Sequence, residues 1–119
     1  MAKIHLFRHA EEAETLSQGS VLFCEGEDGE EMFAIVDGEV ELSHRGKLIE
    51  SVGPGDIVGE MALVDATPRS ATATARTETK VVRVDREQFT FLGHEHPTFA
   101  LSVMTVMAER LRRANDARE

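Results

Sequence analysis

The sequence predicts a mainly β fold: a single domain of short strands, closed at its C-terminal end by two helices. Three observations predict it. Nine glycines recur at short intervals and punctuate β-rich apolar runs. Residues 70–75 read SATATA, where alanine alternates with hydroxyl residues at period two, so one face packs and the other is polar or ligand-facing. After Asp85 the period changes to that of a helix.

In chain order, an Ala/Glu-rich stretch over 6–16 reads as a short helix. Strands are expected over 21–24, 32–36, 40–44, 47–52, 71–76 and 80–84. Asp37-Gly38 is the stronger two-residue hairpin signal and Arg45-Gly46 the weaker. This strand spacing suits a barrel or sandwich. Asp85 can cap a helix, with Gln88 at the capping-box position, so a helix is expected over 86–92. Gly93-His94-Glu95-His96 is expected to break it. Pro97 suits the first turn of a second helix, running to about residue 114. Ala100, Val103, Met104, Met107 and Leu111 form its apolar stripe, and Arg110, Arg112 and Arg113 complement its C-terminal dipole.

Composition narrows the function. A chain of 119 residues, 41% of them hydrophobic, bounds one domain with one core. No apolar run is long enough to span a membrane, and no secretory signal opens the chain. Cys24, the single cysteine, reads as a small buried hydrophobe in a strand. A cytoplasmic location is expected. With 22 acids against 13 bases, the net charge of −9 argues against nucleic-acid binding by this chain.

Residues 53–75, GPGDIVGEMALVDATPRSATATA, carry the chemistry. Gly59 lets the backbone approach a ligand closely. Glu60-Met61-Ala62-Leu63 suits one helical turn, whose first backbone N–H groups favour an anion. Glu60 can accept hydrogen bonds from sugar hydroxyls. Arg69 follows nine residues later, constrained by Pro68, and arginine suits bidentate phosphate recognition. Together they supply donors and a cation for a phosphate and an acceptor for a ribose. Either charge alone reads more readily as a surface group beside a turn.

The Gly-Glu pair, the apolar triplet and Pro-Arg-Ser-Ala-Thr at this spacing resemble the phosphate-binding cassette of the cyclic nucleotide-binding domain family. That family includes regulatory subunits of cAMP-dependent protein kinase, catabolite-activator-type transcription factors and cyclic-nucleotide-gated channels. Residues 23–40, FCEGEDGEEMFAIVDGEV, resemble its early strands and turns. The resemblance spans about residues 15–113. It implies a β-roll or jelly-roll-like barrel of the double-stranded β-helix type over about 17–84, a short N-terminal helix and two C-terminal helices. It also implies that Glu60 bonds the ribose 2′-hydroxyl, that Arg69 pairs with the cyclic phosphate, and that N–H groups of Met61 and Ala62 complete the cradle. Val58, Gly59, Ser70 and Ala71 complete the expected ligand-binding set. The helix from Pro97 takes the place of the family's lid, with Met104, Met107 or Arg110 against the base; alternatively, the methionines pack on the β-roll.

The expected ligand is cAMP, with cGMP open because Ser70 follows the arginine. No fused effector follows, so an effector in trans, or self-association through the C-terminal helix at Val103, Met107 and Leu111, is expected. The chain reads as a stand-alone sensor or an excised domain. One alternative, a cupin-type metalloenzyme, would need clustered ligands. His44 stands alone in its strand, His94 and His96 lie between helices, and His5 and His9 sit near a terminus. The other alternative is a degenerate fold serving protein interaction, against which the presence of both Glu60 and Arg69 argues. No metal constellation or activated nucleophile accompanies Arg69, so a non-enzymatic role is expected.

Overall fold

The computed structural model describes residues 3–7, 10–65 and 67–116. Two antiparallel four-stranded sheets face each other. The first has the order β1-β8-β3-β6, from Glu14–Leu16, Thr79–Asp85, Glu31–Asp37 and Ile57–Val58. The second has the order β2-β7-β4-β5, from Val21–Phe23, Thr72–Ala75, Val40–His44 and Lys47–Val52. The helices are α1 (Met61–Val64), α2 (Arg86–Glu95) and α3 (Pro97–Asp116). The architecture is the expected β-roll.

Strand β3 explains why Met32–Val36 reads as an unbroken apolar run. Its alternate side chains enter two different cores. Phe33 and Ile35 point between the sheets, with Phe23, Val40, Val52, Val58, Ala73 and Val81. Met32 and Ala34 point to the other face, with Val82 and Val84 of β8, and meet Phe99, Val103 and Val106 of α3. A strand covered on both faces has no polar side to show.

The N-terminal stretch departs from expectation. Glu14–Leu16 is a strand paired with Val81, Lys80 and Thr79, and no helix forms among the described residues before it. So short a helix gains little from its own hydrogen bonds. Instead the segment lays Ile4 and Phe7 into the α3 core, with Phe7 edge-on to Phe99 at 5.8 Å.

The two turn signals exchange roles. Asp37-Gly38 makes no hairpin: β3 and β4 belong to different sheets, and the chain crosses between them there. Gly38 has φ +93°, and a Cβ on it would stand 2.6 Å from the Glu78 carbonyl and the Thr79 hydroxyl. Arg45-Gly46 is the true two-residue hairpin, closing His44 on Lys47, with φ +51° and +79°. Positive φ at both positions is the type I′ turn that matches strand twist.

Helix α2 carries the expected capping box: Asp85 accepts from the Gln88 N–H at 2.8 Å, and the Gln88 side chain accepts from the Asp85 N–H at 3.0 Å. It does not break at Gly93 but continues to Glu95. An interior glycine costs about 1 kcal/mol without ending a helix. The stop comes at His96, which precedes Pro97 and is held out of the helical region. Helix α3 is also rotated from its expected stripe. Phe99, Val103 and Val106 face the core, whereas Met104 and Leu111 are 55% and 63% exposed. The aromatic cluster of Phe7, Phe89 and Phe99 sets this rotation. Cys24 is exposed and lies beyond β2, contrary to the buried reading.

Candidate functional site

The chain reaches the cassette through a fixed turn. Asp56 accepts from the Gly53 N–H at 2.8 Å and from Lys3 Nζ at 2.9 Å, and β6 then runs along Phe33 and Ala34. Gly59 follows with φ +77°, a conformation that favours glycine. Glu60 leads into α1, where the Ala62 N–H donates to the Gly59 carbonyl at 3.2 Å and the Leu63 N–H to the Glu60 carbonyl at 3.1 Å. Ala62 and Leu63 are buried, which anchors the turn to the core, while Met61 is exposed.

Glu60 is only 5% exposed. Burial raises its carboxyl above the ordinary value of 4.5, while the Arg110 guanidinium of α3 pulls against that shift. Arg110 bonds the Glu60 carboxylate through Nη1 and the Ile57 carbonyl through Nη2 at 2.7 Å. Its Nε stands 3.5 Å from Glu50 of β5, outside hydrogen-bonding geometry, and is buried without a partner. Arg113 approaches the same Glu50 at 3.5 Å. Arg110 continues the core-facing row of Phe99, Val103 and Val106 at helical spacing.

Arg69 is 9% exposed. Its backbone is pinned to the turn after β2, donating to the Glu27 carbonyl and accepting from the Gly26 N–H, each at 2.8 Å. The same turn is tied to β7, where the Thr72 hydroxyl accepts from the Glu25 N–H at 2.9 Å. The guanidinium donates to the Gly59 carbonyl at 3.1 Å and the Glu31 carbonyl at 2.8 Å. Its Cζ lies 4.2 Å from the centre of the Phe23 ring. Nε is buried without a partner. A Cβ on Gly29 or on Gly59 would stand 2.5 Å from one of the terminal nitrogens, so both glycines form walls of the slot. Burial lowers the Arg69 pKa, opposed by the fields of Glu31, Glu27 and Glu60. Among the described residues, no carboxylate stands in ion-pair contact with Arg69.

The expected site residues are thus only partly gathered. Gly59, Glu60 and Arg69 converge, and Arg110 joins them from α3. Val58 turns its side chain into the core between the sheets. Ser70 is exposed and Ala71 half-buried beside Arg69. Met107 packs against the α3 core, and Met104 faces solvent. Phe23, Gly29 and Glu50 were not anticipated. Glu50 had a signal: it shares a strand face with the buried Val52, an unusual place for an acid.

The histidines stand apart. His44 pairs with Glu25 at 2.6 Å, and His9 lies outside the described residues. Among the described residues, no three His, Cys, Asp or Glu side chains gather as a metal group, and no helix is long and apolar enough to cross a membrane.

Comparison with known proteins agrees with this geometry. Residues 13–96 match the model of the cyclic nucleotide-binding domain. A CRP-like cAMP-activated global transcriptional regulator of Mycobacterium tuberculosis is 33% identical over 104 residues, covering 83% of this chain and 46% of its own length. A cyclic nucleotide-gated potassium channel of Rhizobium etli is 36% identical over 92 residues, covering 77% of this chain and 26% of its own. The crystal structure of the Thermus thermophilus catabolite activator protein superposes with a TM-score of 0.77 at 31% identity, over 87% of this chain and 51% of that one. The chain therefore spans about half or less of the length of these relatives. With cassette, sheets and helices in one arrangement, the chain belongs to the cyclic nucleotide-binding domain family.

Proposed function

We propose that residues 1–119 form one non-enzymatic sensor domain that binds a cyclic nucleotide, cAMP before cGMP, in the cytoplasm. Arg69 pairs with the cyclic phosphate and Glu60 accepts from the ribose hydroxyl. The backbone N–H of Met61, with Ser70 and Ala71, borders the phosphate, and the Ala62 N–H, which donates to the Gly59 carbonyl at 3.2 Å, would have to exchange that partner to join the cradle. One observation carries the reading: Arg69 is a buried cation held by neutral carbonyls and an aromatic face, with no ion-paired carboxylate among the described residues. Its Nε–H has no hydrogen-bond partner among the described residues, so the chain itself does not saturate the guanidinium. The names of two relatives, one cAMP-activated and one cyclic nucleotide-gated, support the ligand class.

Helix α3 supplies the response. Arg110 bonds the carboxylate that the ribose would use. A nucleotide therefore competes for Glu60, and the helix redistributes between conformers according to which partner Glu60 takes. The expected seam of Val103, Met107 and Leu111 is not a free face, because Val103 is buried in the core and Met107 packs against it; self-association through α3 would instead use the exposed Leu101, Met104 and Leu111.

Calorimetric titration with cAMP and cGMP, using Arg69→Ala as control, tests the assignment. Saturable heat lost in the variant supports it, and the ratio of affinities settles base preference. No heat at millimolar ligand overturns it in favour of an interaction module. Unchanged hydrogen-exchange protection of residues 97–113 on adding ligand would sink the lid mechanism alone.

A further inference from the structure

The Phe23 ring closes one face of the Arg69 slot. Phe23 ends β2 and packs near Phe33, with ring centres 5.9 Å apart and planes tilted by 33°. Its face is given to a cation: Arg69 Cζ lies 4.2 Å from the ring centre. On the cassette side the fit is equally close, since a Cβ on Gly59 would stand 3.1 Å from the ring's Cε2. The carbonyls of Gly59 and Glu31 hold the guanidinium through its terminal nitrogens, and the ring holds it face-on. Gly29 backs onto Nε, where a Cβ would stand 2.3 Å from it.

We infer that Phe23 is a positioning residue for anion recognition, acting through Arg69; this rests on the reading of Arg69 as the phosphate ligand. The physical reason is the kind of attraction a ring supplies. A carboxylate would hold a buried guanidinium more strongly but would neutralise it and occupy its N–H donors. A ring face attracts the cation through its quadrupole while leaving its charge and in-plane donors available. Arg83 shows the other arrangement. It lies 5.0 Å from the Phe33 ring, but its donors go to the Glu14 and Glu31 carboxylates. Packing alone would be served by any apolar side chain of similar volume at position 23; fixing the guanidinium plane requires an aromatic one.

The test uses the full chain with Phe23→Leu, Phe23→Met and Phe23→Tyr. Arginine-side-chain 15N NMR of the ligand-free protein reads Arg69 directly. A resolved Nε–H signal with slow guanidinium rotation is expected for wild type and Phe23→Tyr, and an averaged one for the Leu and Met variants. By cAMP titration, the aliphatic variants should bind roughly two- to thirtyfold more weakly. In an Arg69→Ala background they should add less than about twofold. Wild-type Arg69 dynamics and affinity in both aliphatic variants would overturn the inference, as would an equal loss in the Arg69→Ala background. If wild type binds no cyclic nucleotide, the functional assignment fails, and the ligand-free NMR comparison still decides whether Phe23 positions Arg69.

Discussion

Arg69 and Arg110 both reach the neighbourhood of Glu60, one from the loop after α1 and one from α3, yet their surroundings differ in kind. Arg69 is nearly enclosed and meets two main-chain carbonyls and a ring. Arg110 meets the Glu60 carboxylate and lies beside Glu50. A cation compensated by a carboxylate is a fastener, because its field is closed locally and removing either member strands the other. A cation whose contacts are dipoles and a ring, with carboxylates felt only at a distance, keeps N–H donors and a field that an anion can answer. On the proposed reading, the site divides its labour between a locking arginine, Arg110, and a receiving one, Arg69.

The largest effect should fall on the locking arginine. Arg110→Ala leaves Glu60 buried without its partner and should cost about 3 kcal/mol of stability, the lower end of the range for a broken buried pair because Arg110 is partly exposed. Urea denaturation measures this, and cAMP affinity should fall less than in Arg69→Ala. A loss of affinity without a loss of stability would reverse the two roles.

Arg69→Ala should do the opposite: cAMP affinity falls roughly ten- to over a hundredfold, the value of a hydrogen bond to a charged group. Glu60→Ala should weaken binding by a smaller factor in the same titration. The reverse order would place the dominant contact on the ribose.

A third measurement separates the arginines through their shared carboxylate. Because burial raises the native pKa of Glu60, its contribution to stability is complete below the unfolded value near 4.5 and is lost as pH rises through the raised native value. Denaturation at a series of pH values should show this decline, at most about 1.4 kcal/mol per pH unit for one proton. Glu60→Gln should flatten that part of the profile, whereas Arg69→Ala should leave its sign unchanged. The smallest effect is expected at Met104, whose replacement by alanine should change stability by less than about 0.5 kcal/mol, since its side chain faces solvent.

The receiving arginine was more legible in sequence than the locking one. Gly59, Glu60 and Arg69 lie within eleven residues, where glycine freedom and charge spacing can be read directly. The pairing of Glu60 with Arg110 joins positions fifty residues apart, and it depends on how α3 rotates against the sheet. That rotation follows Phe99 meeting Phe7, a contact no local pattern announces. The same limit explains the turns. Asp37-Gly38 has hairpin chemistry, but β3 finds its partners in β8 and β6, and tertiary pairing overrides the local signal. The helix expected near the N-terminus failed for a related reason: β8 had a free edge for Glu14–Leu16 to pair with, and the apolar residues before it were drawn under α3.

Gly29 puts a chemical-genetic handle on the receptor. Its backbone lies outside the left-handed region, so alanine is conformationally acceptable there, yet the added methyl would press on the Arg69 guanidinium. One methyl group can therefore displace the receiving cation while leaving every charged residue in the sequence. On the proposed reading of Arg69, Gly29→Ala is expected to give a ligand-blind allele whose charged residues and Glu60–Arg110 contact are those of the parent. Introduced into a cell, it would separate what this protein does by sensing from what it does by being present.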